Sequence, residues 1–279
     1  MLLHVEHRIE LTYSAAVHLE PLTVRLRPRS DDAQQLVHFE MQVQPAPAGT
    51  CQALDAEANV VDLLWFSDPV ESLQLHVNSR TRTTRRNPWD FILPHAEGLK
   101  LPIEYRPHIA ARLGPYCRND NLDPSVARLA ETLGDKTGHK TLDFLRHLAD
   151  TIEPFEKQVR RLGDPWLAAK TLASRAGTCR DTAVLFIEVC RCVGLAARFV
   201  SGYCPSDVAD TTELHAWAEV FLPGLGWRGF DPGLGLAVAE NHVALAGGIN
   251  PAAAAPTEGT YRGTGVSSHL QYHIEMSVG

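Results

Sequence analysis

Gly177-Thr178-Cys179-Arg180-Asp181 runs directly into Thr182-Ala183-Val184-Leu185-Phe186-Ile187-Glu188-Val189-Cys190-Arg191-Cys192-Val193, and Gly194 follows. The pattern predicts a buried helix that begins at a cysteine and stops at a C′ glycine. A thiol in the first turn of a helix feels the positive end of the dipole and unpaired backbone N–H groups, and both favour thiolate over thiol. Cys179 therefore stands where a nucleophile would be placed. Such a nucleophile needs a group to handle protons. Glu213-Leu214-His215-Ala216-Trp217-Ala218-Glu219-Val220-Phe221-Leu222 alternates as a strand, with His215, Trp217, Glu219 and Phe221 on one face. Pro223-Gly224-Leu225-Gly226 makes a tight turn, and Trp227-Arg228-Gly229-Phe230-Asp231 returns as the antiparallel neighbour, stopped by Pro232-Gly233. One hairpin thus carries His215 on one arm and Asp231 on the other. If the start of the helix packs against it, Asp231 holds the His215 tautomer and stabilises the imidazolium that pairs with Cys179 thiolate.

The neighbouring reactive residues read as structural. Asp181 and Glu219 are expected to form structural hydrogen bonds or ion pairs, and Trp217 and Trp227 to be core or cleft-wall aromatics. Cys190, Cys192 and Cys204 invite a metal reading, but positions i and i+2 lie about 200° apart round a helix, so the first two sulfurs diverge. No Cys-x-x-Cys pair is present. Neither a metal nor a cofactor is expected, and the remaining histidines, scattered along the chain, are expected to be mostly exposed. The backbone N–H of Cys179 is the evident oxyanion donor. Gln158 and Trp166 lie upstream without a positional argument for a second one.

The elements that must position this set begin much earlier. Ile9–Tyr13, Leu22–Arg27, Val37–Val43 and Leu73–Val77 alternate with period two and are separated by turn-rich stretches, which predicts an antiparallel β unit like a small sandwich. Arg80, Arg82, Arg85 and Arg86 then form a basic cluster, read as a solvated linker stretch, before a segment punctuated by Pro88, Pro94, Pro102, Pro107 and Pro115. From Pro124 the period turns helical, with Asp123 as cap; a second helix is expected near Thr141–Ile152. Ala244–Gly265 reads as surface loop and Leu270–Met276 as a final strand. The division expected is a β-domain over 1–85, a proline-rich connection over 86–120 and a catalytic α+β domain over 121–279.

Composition narrows the partners. The chain has 279 residues, 44% of them hydrophobic, enough for a substantial core. Its 26 Lys and Arg against 33 Asp and Glu give a net charge of −7, the wrong sign for nucleic-acid binding. No apolar run approaches a membrane span, and the start has neither the cationic end nor the apolar stretch of a signal peptide. A soluble, cytoplasmic chain is expected, with six reduced cysteines and no membrane partner; its oligomeric state stays open.

The three blocks together resemble the transglutaminase-like superfamily of papain-like cysteine enzymes. The motifs are Gly-x-Cys-Arg-Asp at Gly177, Cys179, Arg180 and Asp181; His-Ala-Trp-x-Glu-Val at His215, Ala216, Trp217, Glu219 and Val220; and Gly-Trp-x-x-x-Asp-Pro at Gly226, Trp227, Asp231 and Pro232. They stand in family order, and the Leu26-Arg27-Pro28-Arg29 neighbourhood looks like the β-domain that precedes the core in bacterial members. The resemblance implies a central helix packed on an antiparallel sheet, with Cys179 as nucleophile, His215 as general base and acid, and Asp231 as orienter. It also implies attack on the amide carbonyl of a peptide or protein, and a thioester that passes to water or to an amine. Hydrolysis, as a peptidase, amidase or deamidase, is favoured because nothing marks a lysine-binding site. Protein cross-linking and a non-catalytic peptide-binding module on the same fold are the alternatives. Three places depart from the family pattern: Gly233 where a hydroxyl residue is common, Thr182 where an aromatic is frequent, and Gly247-Gly248-Ile249-Asn250, where an Arg-Asp-Tyr-like stretch at the substrate rim is missing.

Overall fold

The computed structural model describes residues 1–119, 122–161, 163–205 and 213–279; the expected domain boundary at 120 and 121 lies outside them. The first part is all strand: β1 (Leu2–Leu19), β2 (Leu22–Val24), β3 (Gln34–Gln44), β4 (Gly49–Leu54), β5 (Val60–Trp65) and β6 (Val70–Thr83). Helices follow as α1 (Pro107–Leu113), α2 (Pro124–Lys136) and α3 (Thr141–Ile152). Then come β7 (Glu156–Lys157), α4 (Ala168–Ser174), β8 (Ala176–Gly177) and α5 (Cys179–Cys192). The remainder is β9 (Ala197–Tyr203), β10 (Leu214–Leu222), β11 (Gly226–Asp231), β12 (Leu236–Ala237), β13 (Val243–Gly248), β14 (Thr257–Glu258), β15 (Tyr261–Arg262) and β16 (Ser268–Val278).

The period-two signal of β1 becomes a buried row of Leu3, Val5, His7 and Ile9. β6 and β16 flank β1 on either side, with β3 beyond β6, all antiparallel. A second sheet, in the order β14-β2-β5-β4, shares the same apolar core through Val24 and Leu64. The C-terminal strands β14, β15 and β16, placed by sequence with the catalytic domain, pair with β2 and β1 of the N-terminal sheets. Arg80 and Arg82 belong to β6 rather than to a linker, and Arg85 pairs with Asp32.

The second region is a sheet in the order β12-β11-β10-β9-β13, with α5 between its strands and the helices α2, α3 and α4. α5 is apolar nearly all round because it is covered nearly all round. Ala183, Leu185, Phe186 and Val189 are fully buried, each large side chain contributing about 1.5–3 kcal/mol by burial. Phe186 stacks on Phe230 of β11, which ties the rotation of the helix to the hairpin. The helix ends as its sequence predicts. Gly194 has φ +75°, and a Cβ there would lie 2.7 Å from the Ile103 carbonyl oxygen.

The stretch Ala244–Gly265 is surface loop only in part. Its first residues form β13, buried along its whole length against β9. Small residues signal loop in composition, but here they permit close packing: a Cβ at Gly248 would lie 2.6 Å from Ala253 Cβ. The outer edge of β13 is satisfied by side-chain amides in place of a strand. Gln34 exchanges hydrogen bonds of 2.9 and 2.8 Å with the Ala244 backbone, and Asn59 does the same with Gly247, both at 2.9 Å. These amides cover an edge that would otherwise be open to pairing, and they bind the two regions together.

Candidate active site

Cys179 is the first residue of α5, and its position is set by a capping box. The Thr178 hydroxyl accepts from the Asp181 amide, and Asp181 Oδ2 accepts from the Thr178 amide at 2.7 Å. The fully buried Asp181 carboxylate also receives the Trp166 amide and the Arg160 guanidinium, each at 2.6 Å. Burial alone would raise its pKa; these hydrogen bonds win, and it lies below the ordinary carboxylate value. A Cβ on Gly177 would come within 2.9 Å of Asp181 Cβ, so the glycine two residues before the cysteine makes room for the aspartate to fold back.

His215, on β10, turns Nε2 to Asp231 Oδ2 at 2.5 Å. The half-buried Cys179 side chain neighbours the same imidazole, whose Nδ1 is the nitrogen not taken by Asp231. Burial pushes the His215 pKa down, but the Asp231 charge and hydrogen bond, followed by Cys179, raise it to about 10. Asp231 has no exposed surface; burial pushes its carboxyl up, and the two histidines beside it pull it far below the ordinary range. The helix start and the hairpin therefore bring Cys179 beside the hydrogen-bonded pair of His215 and Asp231.

The chain has relatives among known proteins. Residues 3–82 match the family described as Bacterial transglutaminase-like N-terminal region, and residues 127–232 match the Transglutaminase-like superfamily. The chain belongs to the transglutaminase-like superfamily. A crystal structure of a proposed cysteine protease from Cytophaga hutchinsonii shares the superfamily fold with a TM-score of 0.70 at 19% identity, over 99% of this chain and 91% of that one. Uncharacterized proteins of Mycobacterium tuberculosis and Mycobacterium bovis are each 26% identical over 300 aligned positions, 98% of this chain and 91% of theirs. Within this superfamily fold, Glu219 is structural, as expected: it is buried between Arg29 and Arg198. Trp217 is fully buried beneath the site, and the half-buried Trp227 lies under the Arg198 guanidinium. Cys190 is a fully buried core residue. At the departures, a Cβ on Gly233 would sit 3.4 Å from Asp231 Oδ1 and 3.6 Å from the Thr182 hydroxyl, an ordinary contact.

One residue escaped the sequence reading. His242 is buried and directs Nε2 to Asp231 Oδ2 at 3.0 Å, so the carboxylate serves two imidazoles. Its ring stands edge-on to Trp217 at 5.1 Å. No local pattern marks it, because the turn through β12 carries it back from Asp231. His7 is also buried, with Nδ1 2.9 Å from the Tyr203 hydroxyl, so two of the scattered histidines are interior.

Proposed function

We propose that this protein catalyses thiol-dependent acyl transfer at an amide carbonyl, with Cys179 as nucleophile, His215 as general base and acid, and Asp231 as its positioning residue. The observation that carries this reading is a His215 hydrogen-bonded to a buried carboxylate, with the Cys179 side chain at the start of α5 beside its ring. The Cys179 thiol proton passes to His215, and the thiolate attacks the carbonyl carbon. The Cys179 amide N–H, at the first helical position, has no preceding-turn carbonyl to bond and is available to the oxyanion. His215 then delivers its proton to the departing nitrogen, leaving a thioester on Cys179. Water attacks the thioester, His215 takes its proton, and the acid product departs as the thiol is restored. Asp231 keeps the imidazolium oriented throughout. Hydrolysis of a peptide or protein amide is the outcome favoured, since His215 is partly open to solvent.

Intact-mass measurement of protein mixed with glutamine peptides and peptide amides tests this reading. An acyl adduct on Cys179, with ammonia or a new peptide terminus released and none from Cys179→Ala, is the expected result. Iodoacetamide at neutral pH should label Cys179 first. Preferential labelling of Cys190 or Cys204, with Cys179 untouched, refutes the mechanism.

A further inference from the structure

His215 also belongs to a second cluster. Cys204, directly after β9, His215 on β10 and His242 just before β13 each bring one ligating atom within 4.8 Å of the other two. Cys204 and His242 are buried, while His215 is partly open and gives the cluster its access to solvent. A tetrahedral Zn²⁺ with bonds of about 2.0–2.3 Å needs such donors roughly 3.3–3.9 Å apart, so small side-chain movements suffice. One sulfur and two imidazoles are soft donors that select this class of ion over calcium or magnesium.

Two features of the structure favour a cation. The buried Asp231 carboxylate hydrogen-bonds both imidazoles, at 2.5 and 3.0 Å, orienting the rings and supplying a compensating negative charge, as outer partners of metal-binding histidines do. In addition, His242 Nδ1 is buried with no hydrogen-bond partner among the described residues. With the Nε2 proton donated to Asp231, that nitrogen keeps a bare lone pair, which costs about 1–3 kcal/mol when left unsatisfied.

We propose that Cys204, His215 and His242 form an inhibitory site for a thiophilic divalent cation of the Zn²⁺ class. Cys204 binds as thiolate, its proton going to solvent, and His215 is withdrawn from Cys179 while the ion is held. Inhibition rests on the catalytic reading given above; binding of the ion does not.

The test uses full-length, reduced, EDTA-stripped protein titrated with ZnCl₂ against a chromophoric chelator. It is run on Cys179→Ala, which lacks the other thiol near His215. One Zn²⁺ per chain is expected. Co²⁺ in its place should give a thiolate charge-transfer band and the visible bands of a tetrahedral site. Adding Cys204→Ser or His242→Gln, both close in size to the original residue, should weaken Zn²⁺ at least about tenfold. In the parent, Zn²⁺ should block amide turnover reversibly, and Cys204→Ser should raise the inhibiting concentration by a similar factor. Binding that disappears in Cys179→Ala, or that survives unchanged in both Cys204→Ser and His242→Gln, overturns the proposal. So does a Cys179→Ala protein that takes up no Zn²⁺ or Co²⁺ at stoichiometric concentration. Normal Zn²⁺ uptake without any amide turnover would instead sink the catalytic reading and leave the cation site standing.

Discussion

Replacing Glu219 by glutamine should separate the two regions of the protein energetically. Glu219 lies on β10 with 6% of its side chain exposed. It receives Arg198 through contacts of 2.7 and 2.8 Å and also binds Arg29, which arrives from the segment after β2. Burial pushes the carboxyl up, but the two guanidinium groups hold it at about 2 against an ordinary 4.5. At about 1.36 kcal/mol for each unit, the interaction stabilises the folded protein by roughly 3 kcal/mol at neutral pH. Glu219→Gln removes that charge and leaves two largely buried guanidinium groups facing a neutral amide. Urea unfolding followed by circular dichroism at pH 7 should show a loss of about 3 kcal/mol. The sign with pH follows from the lowered folded value. The contribution is fully present above pH 4.5 and is lost as pH falls toward 2, so the gap between parent and variant should close over that interval. Other titrating groups are common to both proteins and cancel in the difference. A gap under about 1 kcal/mol at pH 7, or one that stays constant down to pH 3, would refute the reasoning.

Asp231→Asn should lower turnover by at least about a hundredfold, since an amide no longer enforces the His215 tautomer or stabilises imidazolium; steady-state rates on any amide substrate that the parent accepts decide this, and an unchanged kcat would count against the positioning role. His7 is held neutral by burial, its pKa lowered to about 3 from 6.5, so its contribution to stability is present above pH 6.5 and lost as pH falls toward 3. By pH 5 the loss is roughly 2 kcal/mol, and His7→Phe should flatten the stability curve between these values in acid-denaturation measurements. Gly177→Ala should lower stability by about 1 kcal/mol and slow iodoacetamide labelling of Cys179, because the new methyl displaces Asp181 from its capping box. Unchanged melting together with unchanged labelling would show that the glycine is not needed for the cap.

Much of the fold was legible wherever one periodicity ruled. The helix Thr141–Ile152 and the Asp123-capped helix from Pro124 appear as read, and the hairpin pairs Ala218 with Phe230 and Leu222 with Gly226. β13 was illegible because alanine and glycine carry no alternation; its edge partners, Gln34 and Asn59, lie 210 and 188 residues away from their backbone contacts. β16 read as a strand, yet nothing local indicates that it returns to β1.

The sequence alone determined the superfamily, the helix that begins at Cys179, and the hairpin carrying His215 and Asp231. Residue type, capping and turn chemistry act over a few positions, and that is the range over which a chain can be read without its fold. Tertiary structure alone decided that Asp231 would serve two imidazoles and that Glu219 would receive an arginine from the segment after β2. It also brought Cys204 close to His215 and His242. These are contacts between elements distant along the chain, set by how α5, the sheet and the N-terminal strands pack, and no local pattern encodes them.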